Sequence, residues 1–110
     1  MSNQLVLIGK LDERKALRYT PAGLPVSEAK VLHASEQFEA GKPRQVVCEV
    51  GVLALGDTAR WLEAAPLGKE VKLTGFVAAR SQHSKGLVLH VQQIEFLEGI
   101  ENGSLLQKEG

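Results

Sequence analysis

The apolar residues take a helical period only once along these 110 residues, and that interruption sets the fold. From 45 to 55 they alternate, with Val46, Cys48, Val50, Val52 and Ala54 on one face, the two-residue repeat of a strand. From 57 to 65 the repeat turns helical. Thr58, Trp61, Leu62 and Ala65 share a stripe that predicts Trp61 as a plug in the core. Asp57 supplies an N-cap, and Pro66 and Gly68 stop the helix after about two turns. From 70 to 80 alternation resumes. Val71, Leu73, Gly75, Val77 and Ala79 point inward, and Lys72, Thr74, Phe76, Ala78 and Arg80 outward.

Further strands flank this centre. Residues 4–11, rich in Val, Ile and Leu, form the first, and 15–20 is extended as well. Pro21-Ala22-Gly23-Leu24-Pro25 is a turn in which Gly23 is free to take positive φ. The second strand covers 26–36, and 38–44, with Gly41, Lys42 and Pro43, reads as a loop. The last strand, 87–97, switches parity: Leu87, Leu89 and Val91 share one face, Ile94 and Phe96 the other. One extra residue at Gln92-Gln93, a β-bulge, returns both sets to the core. Five strands with one short helix between the third and fourth is the order of an all-β OB-fold barrel; five-stranded SH3-like barrels usually lack that helix. The expected organisation is one domain over 1–98 and a polar, aperiodic, disordered acidic tail over 99–110.

Composition narrows the chemistry. No apolar run approaches the roughly 18 residues of a membrane span, and the N-terminus lacks the layout of a signal peptide. The single cysteine, Cys48, excludes an internal disulfide and fits a reducing cytoplasm; the inner face of the third strand makes it a small buried hydrophobe. One Cys and three scattered His make no metal cluster. There is no phosphate loop, dinucleotide fingerprint or nucleophile elbow, so no enzymatic activity and no cofactor are expected. Formal net charge is zero, but residues 1–97 carry 12 Lys/Arg against 10 Asp/Glu, leaving the body slightly basic and the tail acidic. So small an excess binds a phosphodiester only if the cations gather on one face.

Four collinear stretches carry a resemblance. Asn3-Gln4-Leu5-Val6-Leu7-Ile8-Gly9, Leu17-Arg18-Tyr19-Thr20-Pro21-Ala22-Gly23-Leu24-Pro25, Arg44-Gln45-Val46-Val47-Cys48, and Gly75-Phe76-Val77 followed by Val88-Leu89-His90-Val91-Gln92-Gln93-Ile94-Glu95 resemble the primosomal replication protein N (PriB) family over roughly residues 3–97. The resemblance implies an OB-fold homodimer that binds single-stranded DNA and works with the PriA replication-restart helicase and other primosome proteins. Val47 stands where the family pattern has an aromatic, so one stacking platform is missing. The loop before the last strand is shorter and poorer in lysine, keeping Arg80, His83 and Lys85.

The candidate contacts follow from both readings. Sequence-tolerant single-strand binding needs π-faces for bases and cations for phosphates, and Phe76 beside Lys72 and Arg80 offers both. The competing role for Phe76 is packing under a loop or at a subunit interface. Arg80, His83 and Lys85 lie in or beside a hairpin loop from which long cations reach a backbone. Arg18 and Tyr19 precede the 21–25 turn; Lys42 and Arg44 close the 38–44 loop near Glu36 and Glu39, where partner docking is as plausible as DNA contact. His33 and His90 are read as hydrogen-bonded strand residues. A homodimer is expected because Leu5-Val6-Leu7-Ile8 is apolar on both faces and a barrel buries only one. The rival classes are an OB module that only docks proteins and an RNA-binding OB domain.

Overall fold

Six strands and one helix follow one another: β1 (Leu5–Arg14), β2 (Arg18–Tyr19), β3 (Pro25–Glu39), β4 (Lys42–Leu55), α1 (Asp57–Ala64), β5 (Glu70–Ala79) and β6 (Leu87–Phe96). These come from a computed structural model that describes residues 1–97; the expected tail at 99–110 lies outside the described residues. The strand order is β1-β5-β6-β4-β3-β2, and a second pairing of β1 with β3 closes the barrel. β2 is the two-residue remnant of the extended 15–20 segment. The barrel itself has the five expected strands, with the helix in its expected place.

β1 closes the barrel by serving two neighbours. Residues 5–10 pair with β5 and residues 10–14 with β3, across an irregularity between Leu11 and Glu13. Gly9 sits where β1 meets β3: a Cβ there would strike the Leu32 carbonyl and Val31. The core comprises Leu11, Val31, Val52, Ala54, Val71, Leu73, Leu89 and Val91, with Leu5, Leu7 and Ile94 packed on it. The bulge falls where parity required it. Thr74 pairs with Gln93 and Gly75 with Val91, so Gln92 is the extra residue that brings Ile94 back to the core. Phe96 does not return; it stays exposed, as does Leu87. The 21–25 turn has Gly23 at φ 87° and closes through the Thr20 amide donating to the Leu24 carbonyl at 2.9 Å.

Four expectations are corrected. The 38–44 loop is strand, because β3 and β4 pair without interruption to Glu39 and Lys42 around a two-residue turn at Ala40 (φ 55°) and Gly41 (φ 78°). This hairpin outruns the barrel, so Cys48, on the inner parity of β4, has no layer opposite it and is exposed. The helix N-cap is Gly56, at φ 70°, and Asp57 is instead the acidic residue of the first turn. Finally, Trp61 is not the plug. Ala59, Leu62 and Ala65 fill the barrel end, and Trp61, about 100° round the helix from Leu62, is 59% exposed. Arg14 anchors α1 from outside by donating to the carbonyls of Leu62 and Ala65 at the helix C-terminus, the first of which also accepts the Ala65 amide at 3.3 Å.

Candidate nucleic-acid interface

Strand register assembles a row across the outer surface. Glu28 on β3 pairs with Leu53 on β4, Leu53 with His90 on β6, and His90 with Phe76 on β5. All four point away from the core set, so they lie side by side across four strands. The Phe76 and His90 rings stack with centroids 4.9 Å apart and planes 7° from parallel. His90 was expected to be a hydrogen-bonded strand residue; it is half of an aromatic platform. Stacking fixes both rings before a ligand arrives, which lowers the ordering cost of adding a third.

Glu28 gathers the cations at one end of this row. Arg18 donates to its carboxylate at 2.8 Å, Arg80 lies at 3.5 Å and Lys15 at 3.6 Å. Gly51 makes room: a Cβ there would meet the Arg80 guanidinium at 2.8 Å. The hydrogen bond from Arg18 holds the Glu28 carboxyl below its ordinary value; partial burial opposes this, and the charges of Lys15, Arg18 and Arg80 reinforce it. A depressed folded pKa contributes stability that is present above the ordinary carboxylate value and lost as pH falls through the folded one. Acid titration followed by circular dichroism should therefore show stability falling over that window, and Glu28→Gln should remove part of the slope.

The remaining candidates are dispersed. Tyr19, beside Arg18 on β2, is 56% exposed. Lys42 and Arg44 lie at the tip of the β3–β4 hairpin, where Arg44 is engaged by Glu39 at 2.6 Å. Phe38 stands across from Pro43 at this tip, 75% exposed. It was overlooked because Ala40-Gly41 lacks the Asn-Gly signature of a two-residue turn. Among the described residues, Lys72 and Lys85 make no ion pair. Lys85 and His83 sit in a loop closed by the Arg80 amide donating to the Gly86 carbonyl at 2.8 Å and organised by amide donation from His83 and Ser84 to Ser81 Oγ. His33 is structural, as expected: Nδ1–H donates to the Ile8 carbonyl at 2.7 Å, and Nε2 meets Ser35 Oγ at 2.8 Å.

A closed five-stranded barrel with an aromatic pair and flanking cations on its outer face is the architecture of single-strand-binding OB proteins. The profile of a family described as "another single-strand binding protein family" matches residues 3–93. The chain is 42% identical over 97 residues to the replication restart protein PriB of Bordetella pertussis, covering 88% of this chain and 91% of that one. It is 37% identical over 95 residues to PriB of Nitrosomonas europaea, covering 86% and 88%. PriB of Ralstonia solanacearum superposes with a TM-score of 0.80 at 33% identity, over 87% of this chain and 98% of that structure. The single-stranded DNA binding protein of Thermus aquaticus gives 0.72 at 27% identity, over 91% of this chain and 52% of its own. The chain belongs to the PriB family of replication restart proteins.

Proposed function

We propose that this chain binds single-stranded DNA without sequence preference on the outer face of β3–β4–β6–β5, as a non-enzymatic cytoplasmic accessory of replication restart that assists a PriA-type helicase. The observation that carries this reading is the Phe76–His90 platform, set in one row with the cations around Glu28. Phe76 and His90 stack on a base; Arg18, Arg80 and Lys85 hold phosphates, Lys72 is offset by Glu95 across the strand pair, and His83 and Tyr19 lie at the margin with Lys42 and Arg44 at the hairpin tip. Fluorescence anisotropy with labelled single-stranded DNA, duplex and RNA tests it. Single strands are expected to bind best, with a logarithmic salt slope of about −0.7 per phosphate contact and about three or four contacts per protomer. A slope near zero, or preference for duplex, would overturn it.

Glu28 sets the strength of that binding. It neutralises cations that a phosphodiester would otherwise meet, so Glu28→Gln should raise single-strand affinity about three- to tenfold at low salt, with the gain fading as screening increases. An unchanged affinity would show that Arg18 and Arg80 do not touch the strand.

The chain pairs as a homodimer, although each protomer carries its own binding face. On β1, Leu5 and Leu7 pack on the core while Val6 and Ile8 stay exposed. On the side away from β5, residues 5–9 have no strand partner among the described residues. Light scattering at tens of micromolar should report twice the protomer mass; a monomer would remove the dimer from the proposal.

A protein-docking module is the second reading. It is favoured by the groove of about 420 Å³ lined by Ile8, Leu32 and Val47, with Val47 79% exposed and offering no π-face. Ile8→Asp separates the two. Loss of the dimer with DNA binding intact supports the first reading, and loss of helicase capture by a dimer that never bound DNA supports the second.

A further inference from the structure

A groove between α1 and the β5–β6 pair lies beside the row described above and is lined differently. Its volume is about 520 Å³, within the range of pockets that hold one small ligand. Trp61 and Phe96 both line it, with Lys72, Glu95, Thr58 and Gln92. Trp61 is the chain's only tryptophan, and tryptophan is on average a well-buried residue. The helix does not need it for anchorage, because Ala59, Leu62 and Ala65 are buried and Arg14 holds the last-turn carbonyls. An indole left in water beside a second exposed aromatic is free to take a flat partner.

We propose that this groove is a second base-binding subsite, in which a nucleobase of the same single strand stacks on Trp61 beside Phe96. The inference rests on the reading of the chain as a single-strand binder. Continuity supports it: Thr58 and Gln92 line both this groove and the adjoining cavity of about 290 Å³ that contains Phe76 and His90. Lys72, Thr74 and Phe76 also share the outward face of β5, so a strand on the Phe76 platform runs along β5 into the groove over about 13 Å. Charge decides which part of the nucleotide enters. Lys72 and Glu95 are cross-strand partners, and both line the groove. Their opposite charges leave no net attraction for phosphate, so the base is the ligand and its binding is insensitive to salt. Thr58 and Gln92 donate and accept hydrogen bonds at a base edge without selecting one base.

Trp61 reports on its own site. Oligothymidylates of about 5 to about 15 nucleotides, the range of site sizes for single OB barrels, are titrated into the full chain. Intrinsic emission is followed alongside the anisotropy of a labelled strand. The expected result is quenching of Trp61 that saturates with the anisotropy. Trp61→Ala and Trp61→Leu should weaken binding about 5- to 150-fold, equally at low and moderate salt, and Trp61→Phe should retain most of the affinity. In Phe76→Ala the affinity falls, but quenching persists at saturation. Full-affinity binding with unchanged Trp61 emission, and Trp61→Ala within twofold of the parent, would overturn the subsite while leaving single-strand binding in place. If the labelled strand fails to bind the parent chain at all, the proposed function falls and the subsite with it.

Discussion

Phe76→Ala is expected to weaken single-strand binding by about 1–3 kcal/mol, and the loss should be as large at moderate salt as at low salt. The reason lies in the paired platform. Phe76 and His90 hold each other parallel at 4.9 Å, so truncation removes one π-face and releases the other from its orientation. Stacking is short-range and does not fade with ionic strength, whereas one exposed phosphate contact contributes less and is screened. Lys85→Ala is therefore expected to cost less, and mostly at low salt. Both variants are titrated at two salt concentrations after circular dichroism has shown that they fold. A folded Phe76→Ala with parental affinity would make Phe76 a packing residue and move the protein-docking reading ahead.

The largest effect on stability is expected from Gly75→Ala. Gly75 lies on β5 opposite the bulge, and a Cβ there would land on the His90 carbonyl and within 3.2 Å of the Val91 Cα. Backbone atoms cannot rotate away as a side chain can, so β5 and β6 must separate locally. The expected cost is about 3 kcal/mol, or roughly 12–24 °C in Tm for a domain of this size. The displacement falls at His90 itself, so binding should fall even where the variant remains folded. Gly86→Ala is the control: its Cβ meets nothing within 4 Å, and the stability should stay within about 0.5 kcal/mol of the parent. Thermal melts of the two variants decide the matter. A Gly75→Ala protein that melts with the parent would mean that the β5–β6 spacing is looser than the register requires.

Much of the barrel was legible without coordinates because each signal was local. Alternation named the inward sets Val52 and Ala54, then Val71 and Leu73. The parity switch in the last strand located the bulge at Gln92-Gln93, and the register narrowed it to Gln92. A single helical stretch placed the helix between the strands it separates. Phe76 could be placed on the outer face by counting residues, since side-chain direction in a strand is a property of sequence parity.

What counting residues does not provide is how much of a strand is covered, or what stands across from it. Cys48 has inward parity, yet β3 and β4 outrun the barrel and leave it in solvent. Thr58, Trp61, Leu62 and Ala65 make as good a helical stripe as Ala59, Leu62 and Ala65. The barrel end takes Ala59, Leu62 and Ala65 and turns the indole outward. The pairing of His90 with Phe76, and the gathering of Lys15, Arg18 and Arg80 around Glu28, join residues from strands distant in sequence. The sequence alone determined the order of the strands and the helix and the parity of most strand side chains, because those depend on neighbours along the chain. Only the tertiary structure decided which outward residues form the interface, because that depends on strand order, register and length, the long-range terms that no local period encodes.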